Sequence, residues 1–145
     1  MSISTIATRS VDLADRSESV WRAAERMHHR VIGCLLVVDE EKRPIGILTD
    51  RDIVERVVSL TRDPLTTPVQ EVMSSPVITI HQDAEWHEAV QLMKEHAVRR
   101  LAVVGDQGEL VGVLSLDDVL MYLAEQMAAI GKLIARQTPP ALAEI

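Results

Sequence analysis

The sequence predicts an α+β fold of two repeated halves, each β-α-β-β-α, packed sheet to sheet about a pseudo-two-fold axis. Three observations carry this. The stretch Gly46-Ile-Leu-Thr49-Asp-Arg-Asp52 recurs as Gly112-Val-Leu-Ser115-Leu-Asp-Asp118, 66 residues further on (46 to 112). At the same offset the face Val20, Ala23, Ala24, Met27 recurs as Trp86, Ala89, Val90, Met93. Its i, i+3, i+4, i+7 spacing marks one side of an α-helix. The apolar positions Leu35, Val37 and Val38 recur as Leu101, Val103 and Val104. Such a duplication makes each half a unit that buries its apolar face against its twin.

A chain of 145 residues suits one domain, or two small halves sharing a core. Hydrophobic residues make up 47%, yet there is no Phe, one Tyr and two Trp, so the core is aliphatic. A net charge of −7 argues against general binding to nucleic acid or an anionic membrane. The single Cys34 excludes an internal disulfide and fits a reducing compartment. No basic-then-apolar leader opens the sequence, and no apolar run approaches roughly 18–20 residues, so a cytoplasmic, soluble protein is expected.

In chain order, residues 1–16 form a lead with a strand near 11–13. A helix over 18–29 follows, with Ser17 as its N-cap; Asp83 holds the matching position in the second half. The continuous apolar run Cys34–Val38 reads as a buried strand. A charged turn closed by Pro44 leads to its hairpin partner at 45–48. Residues 50–60 read as a helix with Ile53, Val54, Val57 and Val58 as its apolar positions. The proline-containing stretch 61–68 is the linker. The second half repeats the order: a helical turn at 69–73, a strand at 77–80, a helix at 85–96, then strands at 101–104 and 110–114. These last two flank Gly105-Asp-Gln-Gly108, a strong turn sequence. A final helix starts near Leu116 and ends at Thr138-Pro139-Pro140. The division is therefore 1–65 for the first half and 66–137 for the second, with 138–145 a loose tail.

The repeated motif has a chemical reading. Each copy is a short strand ending at a helix start, with Thr49 or Ser115 at the N-cap position and Asp52 or Asp118 in the first turn. Free N–H groups and the positive dipole end suit a phosphate, and the aspartate can accept from a ribose diol. The bland alternative is a capping box, in which the same residues satisfy only the helix end. Doubling at one fixed offset, with the glycine kept, favours the functional reading.

With its paired Gly-h-h-Thr/Ser-x-x-Asp motif, where h is apolar, the chain resembles a tandem pair of cystathionine β-synthase (CBS) domains, a Bateman module. The resemblance runs from about residue 8 to residue 125. It implies an adenosine-nucleotide site with Gly46, Thr49 and Asp52 in one copy and Gly112, Ser115 and Asp118 in the other. Thr49 and Ser115 would lie on the phosphate side, and Asp52 and Asp118 would bind ribose. A basic pair before the middle strand, Arg99-Arg100-Leu101-Ala102-Val103, also resembles the family pattern, with Ala102 in place of proline. The first-half equivalent of Arg100 is Cys34. The implied ligand is AMP, ADP or ATP, with S-adenosylmethionine or NAD(H) as further adenosyl candidates and Mg²⁺ accompanying ATP. The implied role is regulatory, with ligand state passed to an unidentified effector protein. The alternative is a structural homodimerisation module with a vestigial pocket.

Other chemistries fare worse. No Cys-x-x-Cys or His-x₃-His spacing occurs, so no metal site is expected. No Gly-x-Ser-x-Gly is present, and acidic residues in a helix's first turn are explained by its dipole, so an enzyme is not expected. Trp86 lies on the inferred core face; Trp21 lies off it. On the last helix, Val119, Leu120 and Leu123 have first-half counterparts and are expected to serve the core. Met127, Ile130 and Ile134 have none, which predicts a homodimer contact.

Overall fold

The computed structural model describes residues 1–137. The expected tail and the Thr138-Pro139-Pro140 stop lie outside the described residues. The elements are α1 (Val20–Arg30), β1 (Cys34–Val38), β2 (Pro44–Thr49), α2 (Asp50–Ile53), β3 (Thr79–His81), α3 (Trp86–His96), β4 (Arg100–Val104), β5 (Leu110–Ser115) and α4 (Leu116–Gln137). The fold is α+β, with two repeated halves and two small sheets.

The duplication is written into the strand registers. In the first hairpin Cys34 pairs with Thr49, Leu36 with Ile47, and Val37 with Gly46. In the second Arg100 pairs with Ser115, Ala102 with Val113, and Val103 with Gly112. Each hairpin has its bulge at the same place, between Val37 and Val38 and between Val103 and Val104. Side-chain alternation then sorts each strand. Leu35 and Val37 join Val20, Ala23 and Met27 in one core; Leu101 and Val103 join Ala89 and Met93 in the other. Leu36, Ala102 and Val113 point the opposite way and form a third cluster with Ile47, where the two sheets meet. Leu36 and Ala102 are repeat equivalents, so the pseudo-two-fold runs through this contact.

The two cores exchange chain. A 3₁₀ turn at Ile3–Thr5 packs Ile3, fully buried, into the second half's core. Its repeat, the 3₁₀ turn Val69–Glu71, packs Val69 and Val72 into the first half's core. The backbone bonds match: Ile3 N–H donates to Ala84 O and Val69 N–H to Glu18 O, both at 2.9 Å. Packing therefore crosses the chain division at residues 65 and 66.

Several local expectations are corrected. The N-cap of α1 is Ser19, not Ser17: its hydroxyl accepts from Arg22 N–H at 3.3 Å. Ser17 is drawn into a local turn in which its N–H donates to Asp15 Oδ1 at 2.7 Å. That turn competes with the ladder, so the strand expected near 11–13 shrinks to a single parallel bridge, Leu13 to Leu36. Its second-half counterpart is the three-residue β3, parallel to β4. The cap of α3 is Glu85, in a capping box with Glu88, rather than Asp83. The helix expected over 50–60 is α-helical only to Ile53 and continues as a π-helix over Val54–Val58. In this wider winding Val57 is buried while Val54 and Val58 are exposed. On α4, Val119 is buried and Leu123 packs on the core, but Leu120 is 54% exposed, as is its counterpart Val54 at 58%. Val119 and Leu123 take the inward side of α4, and Leu120, about 100° round from Val119, lies outside it. Trp86 packs on the second core and Trp21 is half exposed. Among the described residues no helix is long and apolar enough to cross a membrane.

Candidate functional site

Both motif copies sit where a hairpin runs directly into a helix. Thr49 ends β2 and caps α2; its Oγ1 accepts from Asp52 N–H at 3.1 Å, and Asp52 Oδ2 accepts from Thr49 N–H at 2.9 Å. Ser115 ends β5 in the same way: Ser115 Oγ accepts from Asp118 N–H at 3.1 Å, and Asp118 Oδ2 accepts from Ser115 N–H at 2.7 Å. Each motif is therefore a completed capping box that also fixes the carboxylate at the end of the sheet.

The motif glycines have a different task. A Cβ on Gly112 would stand 2.9 Å from the backbone oxygen of Thr8, and one on Gly46 would run into Met73 Sδ. Thr8 and Ser74 are the exchanged segments' contacts with β5 and β2, each through a pair of backbone hydrogen bonds with Val113 and Ile47. Gly46 and Gly112 thus admit the crossing chain, and neither lines a cleft wall.

Two clefts open between the halves. The first, about 440 Å³, is lined by Thr49, Asp50, Arg51, Asp52 and Glu55 of the first half and by Ser74 and Ala97–Arg100 of the second. The second, about 200 Å³, is lined by Ser115, Asp117 and Asp118, by Thr8 and Ser10–Asp12, and by Ile32, Gly33 and Cys34; Arg100 lines it as well. Thr49, Asp52, Arg99 and Arg100 come together at the first cleft, and Ser115, Asp118 and Arg100 at the second. The contribution of residues 8–12 was not legible in the sequence, because the segment reaches the second half only through the exchange. A larger groove of about 770 Å³ lies between 13–17 and 38–41, and it contains no motif residue.

The clefts differ in what they leave available. Asp52 is buried, and its Oδ1 is paired with Arg56 Nη2 at 3.3 Å. Arg56 also donates to Val72 O at 2.6 Å and Ser74 Oγ at 3.1 Å, tying the exchanged segment to the motif. Tyr122 replaces Arg56 in the second half, and among the described residues no donor reaches Asp118 Oδ1. The hydroxyls differ in the opposite sense. Ser115 Oγ donates to Asp118 Oδ2 at 2.7 Å, whereas the Thr49 O–H has no such acceptor among the described residues. Burial pushes the Cys34 thiol up, and the Arg100 charge partly offsets it. Arg99, largely exposed, lies 3.5 Å from Asp117.

One cluster escaped the sequence reading. His81, Asp83 and Asp106 bring ligand atoms within 4.8 Å of one another. His81 Nε2 and Asp106 Oδ1 are 3.0 Å apart, and the two aspartates are about three-quarters exposed. A solvated hydrogen bond accounts for this arrangement.

A duplicated α+β unit, with two inter-half clefts each carrying a strand-to-helix hydroxyl and carboxylate, defines a tandem-repeat module. The sequence model of the CBS domain matches residues 3–59 and 69–125, and the chain belongs to the CBS-domain family, with two copies of the domain. It is 38% identical over 120 residues to an uncharacterized protein of Methanopyrus kandleri, covering 83% of this chain and 61% of that protein. A CBS-domain protein from Burkholderia ambifaria superimposes with a TM-score of 0.78 at 30% identity, over 85% of this chain and 93% of that one. A CBS domain protein from Pyrobaculum aerophilum, complexed with AMP, gives 0.75 at 28% identity over 86% and 99%.

Proposed function

We propose that this CBS pair is a regulatory module that binds an adenosine nucleotide of the AMP, ADP or ATP class between its halves. Ligand state then passes to an effector protein. The observation that carries the reading is the convergence of Thr49, Asp52 and Arg99 on one cleft and Ser115 and Asp118 on the other, with Arg100 on both walls. In each cleft one half supplies the carboxylate and the other half supplies the opposite wall. A ligand seated there contacts both halves and favours one relative placement of them, which is what coupling to a partner requires. The AMP complex of the Pyrobaculum protein supports the adenosyl class. In this reading Asp52 and Asp118 take the ribose hydroxyls, Thr49 and Ser115 face the phosphates, and Mg²⁺ accompanies a triphosphate.

A homodimer is the assembly we propose. Met127, Ile130 and Leu133 on α4 are 73%, 58% and 56% exposed, and Leu120 and Val54 are exposed at repeat-equivalent positions. A two-fold contact covers such a surface with its own copy. The structural alternative, a dimerisation module with a vestigial pocket, draws on the capping boxes, which give Thr49 and Asp52 a role at the helix start without any ligand.

Thermal shift and calorimetry with AMP, ADP, ATP, NADH and S-adenosylmethionine separate the two. Stabilisation by at least one of them is expected. Absence of any shift at millimolar concentration refutes the nucleotide reading and leaves the structural one.

A further inference from the structure

Repeat symmetry supplies each cleft with its own basic residue only if positions 34 and 100 are both cationic. Here they are Cys34 and Arg100. Arg100 lines both clefts. Its side chain lies at the divide: a Cβ on Gly33, in the wall of the second cleft, would be 3.0 Å from Arg100 Nη2 and 3.5 Å from Asp50 Oδ2, in the wall of the first. Two other cations line the first cleft, but Arg51 is paired with Glu55 at 2.7 Å and Arg99 lies 3.5 Å from Asp117. Both are more than two-thirds exposed, where screening leaves an ion pair little strength. Arg100 is half-buried, and among the described residues no carboxylate lies within ion-pair distance of it. Among the described residues it is the one cation on the walls of the second cleft, whose other charges are Asp12, paired with Arg30 at 2.7 Å, Asp117 and Asp118.

Resting on the nucleotide reading above, we propose that the two clefts share the Arg100 guanidinium, so that a nucleotide phosphate in one weakens the binding of a phosphate in the other. A phosphate drawing the guanidinium to its own side leaves the opposite phosphate facing carboxylates. The loss is that of one charge-assisted hydrogen bond, about 10-fold or more in affinity. A nucleoside without phosphate does not call on Arg100, so its two binding events stay independent. The module then responds in two steps to a phosphorylated ligand and in one step to its nucleoside.

The test is calorimetry of the full chain with AMP and with adenosine, repeated on Cys34→Arg. In the wild type the first AMP per chain is expected to bind at least ~10-fold more tightly than the second, with adenosine affinities within ~3-fold of each other. Cys34→Arg, which supplies the missing cation, is expected to bring the two AMP affinities to within ~3-fold. Two AMP equivalents of equal affinity in the wild type overturn the sharing, and so does an equal gap for AMP and adenosine. No binding of either ligand at millimolar concentration overturns the nucleotide reading itself. If Cys34→Arg fails to fold by circular dichroism, the wild-type comparison of the two ligands decides.

Discussion

Asp118 is the residue whose removal speaks most directly to ribose recognition. Its Oδ2 is held by the Ser115 N–H and hydroxyl, both at 2.7 Å, while Oδ1 meets no donor among the described residues. Asp118→Ala therefore has two separable effects. Loss of the capping carboxylate at the start of α4 costs about 0.5–2 kcal/mol of stability, which a 22-residue helix anchored by buried Val119 withstands. Loss of the open Oδ1 removes one charged acceptor from the ribose diol, about 1.5–3 kcal/mol of binding, or roughly 10- to 150-fold in affinity at the second cleft. Because AMP and adenosine carry the same ribose, both weaken by a similar factor there. The assay is calorimetry with both ligands on the purified variant, with folding checked by circular dichroism at the same temperature. Unchanged affinity of either ligand at every site of the folded variant would refute the assignment of Asp118 to the ribose.

Arg100→Ala is expected to weaken AMP by about 10-fold or more and to leave adenosine nearly unchanged; equal weakening of both would show that it acts through packing. Gly112→Ala drives a Cβ against the Thr8 backbone oxygen and should cost about 1–3 kcal/mol in denaturant unfolding. Gly46→Ala meets only the flexible Met73 side chain and should cost less; the reverse order would refute the crossing-chain account. Since burial raises the Cys34 thiol above its ordinary value, alkylation at pH 8 should lag behind an exposed thiol and accelerate only at higher pH; rapid labelling would contradict the buried placement. Light scattering should show a dimer at tens of micromolar that Met127→Asp plus Ile130→Asp weakens; a wild-type monomer would refute it.

The repeat was the most legible feature, because the offset that relates Gly46 to Gly112 also relates every pair of the two hairpin registers. The aliphatic core followed from periodicity, since Val20, Ala23 and Met27 are buried as their spacing requires. Caps were less legible. Asp15, Ser17, Glu18 and Ser19 compete for the start of α1, and the choice is made by where Asp15 folds back on Ser17 and where Val69 N–H meets Glu18 O. The π-helical winding after Ile53 left no signal in the apolar pattern, and Val54 and Val58 lie outward there. Cleft composition was legible for the motif residues but not for Thr8, Ser10–Asp12 or Ser74, because nothing local tells a chain segment to pack against the other half.

That exchange also bears on how a ligand could be felt at a distance. Arg56 connects Asp52 with Val72 O and Ser74 Oγ, so the first motif's carboxylate is tied to the chain that enters the second half. Ser74 in turn pairs with Ile47 in β2, whose neighbour in space is the sheet-to-sheet cluster of Leu36, Ala102 and Val113. On the other side Thr8 pairs with Val113 of that same cluster, and Thr8 lines the second cleft. A contiguous set of packed and hydrogen-bonded groups therefore runs from Asp52 through the pseudo-two-fold contact to the second cleft. Close-packed contacts of this kind shift as units rather than deforming smoothly. Differential ligand affinity for two placements of the halves is what turns such a path into coupling. On that path the small residue Ala102 is fully buried in one cluster with Leu36. A larger side chain at position 102 is expected to push the two sheets apart and so to alter both inter-half clefts together.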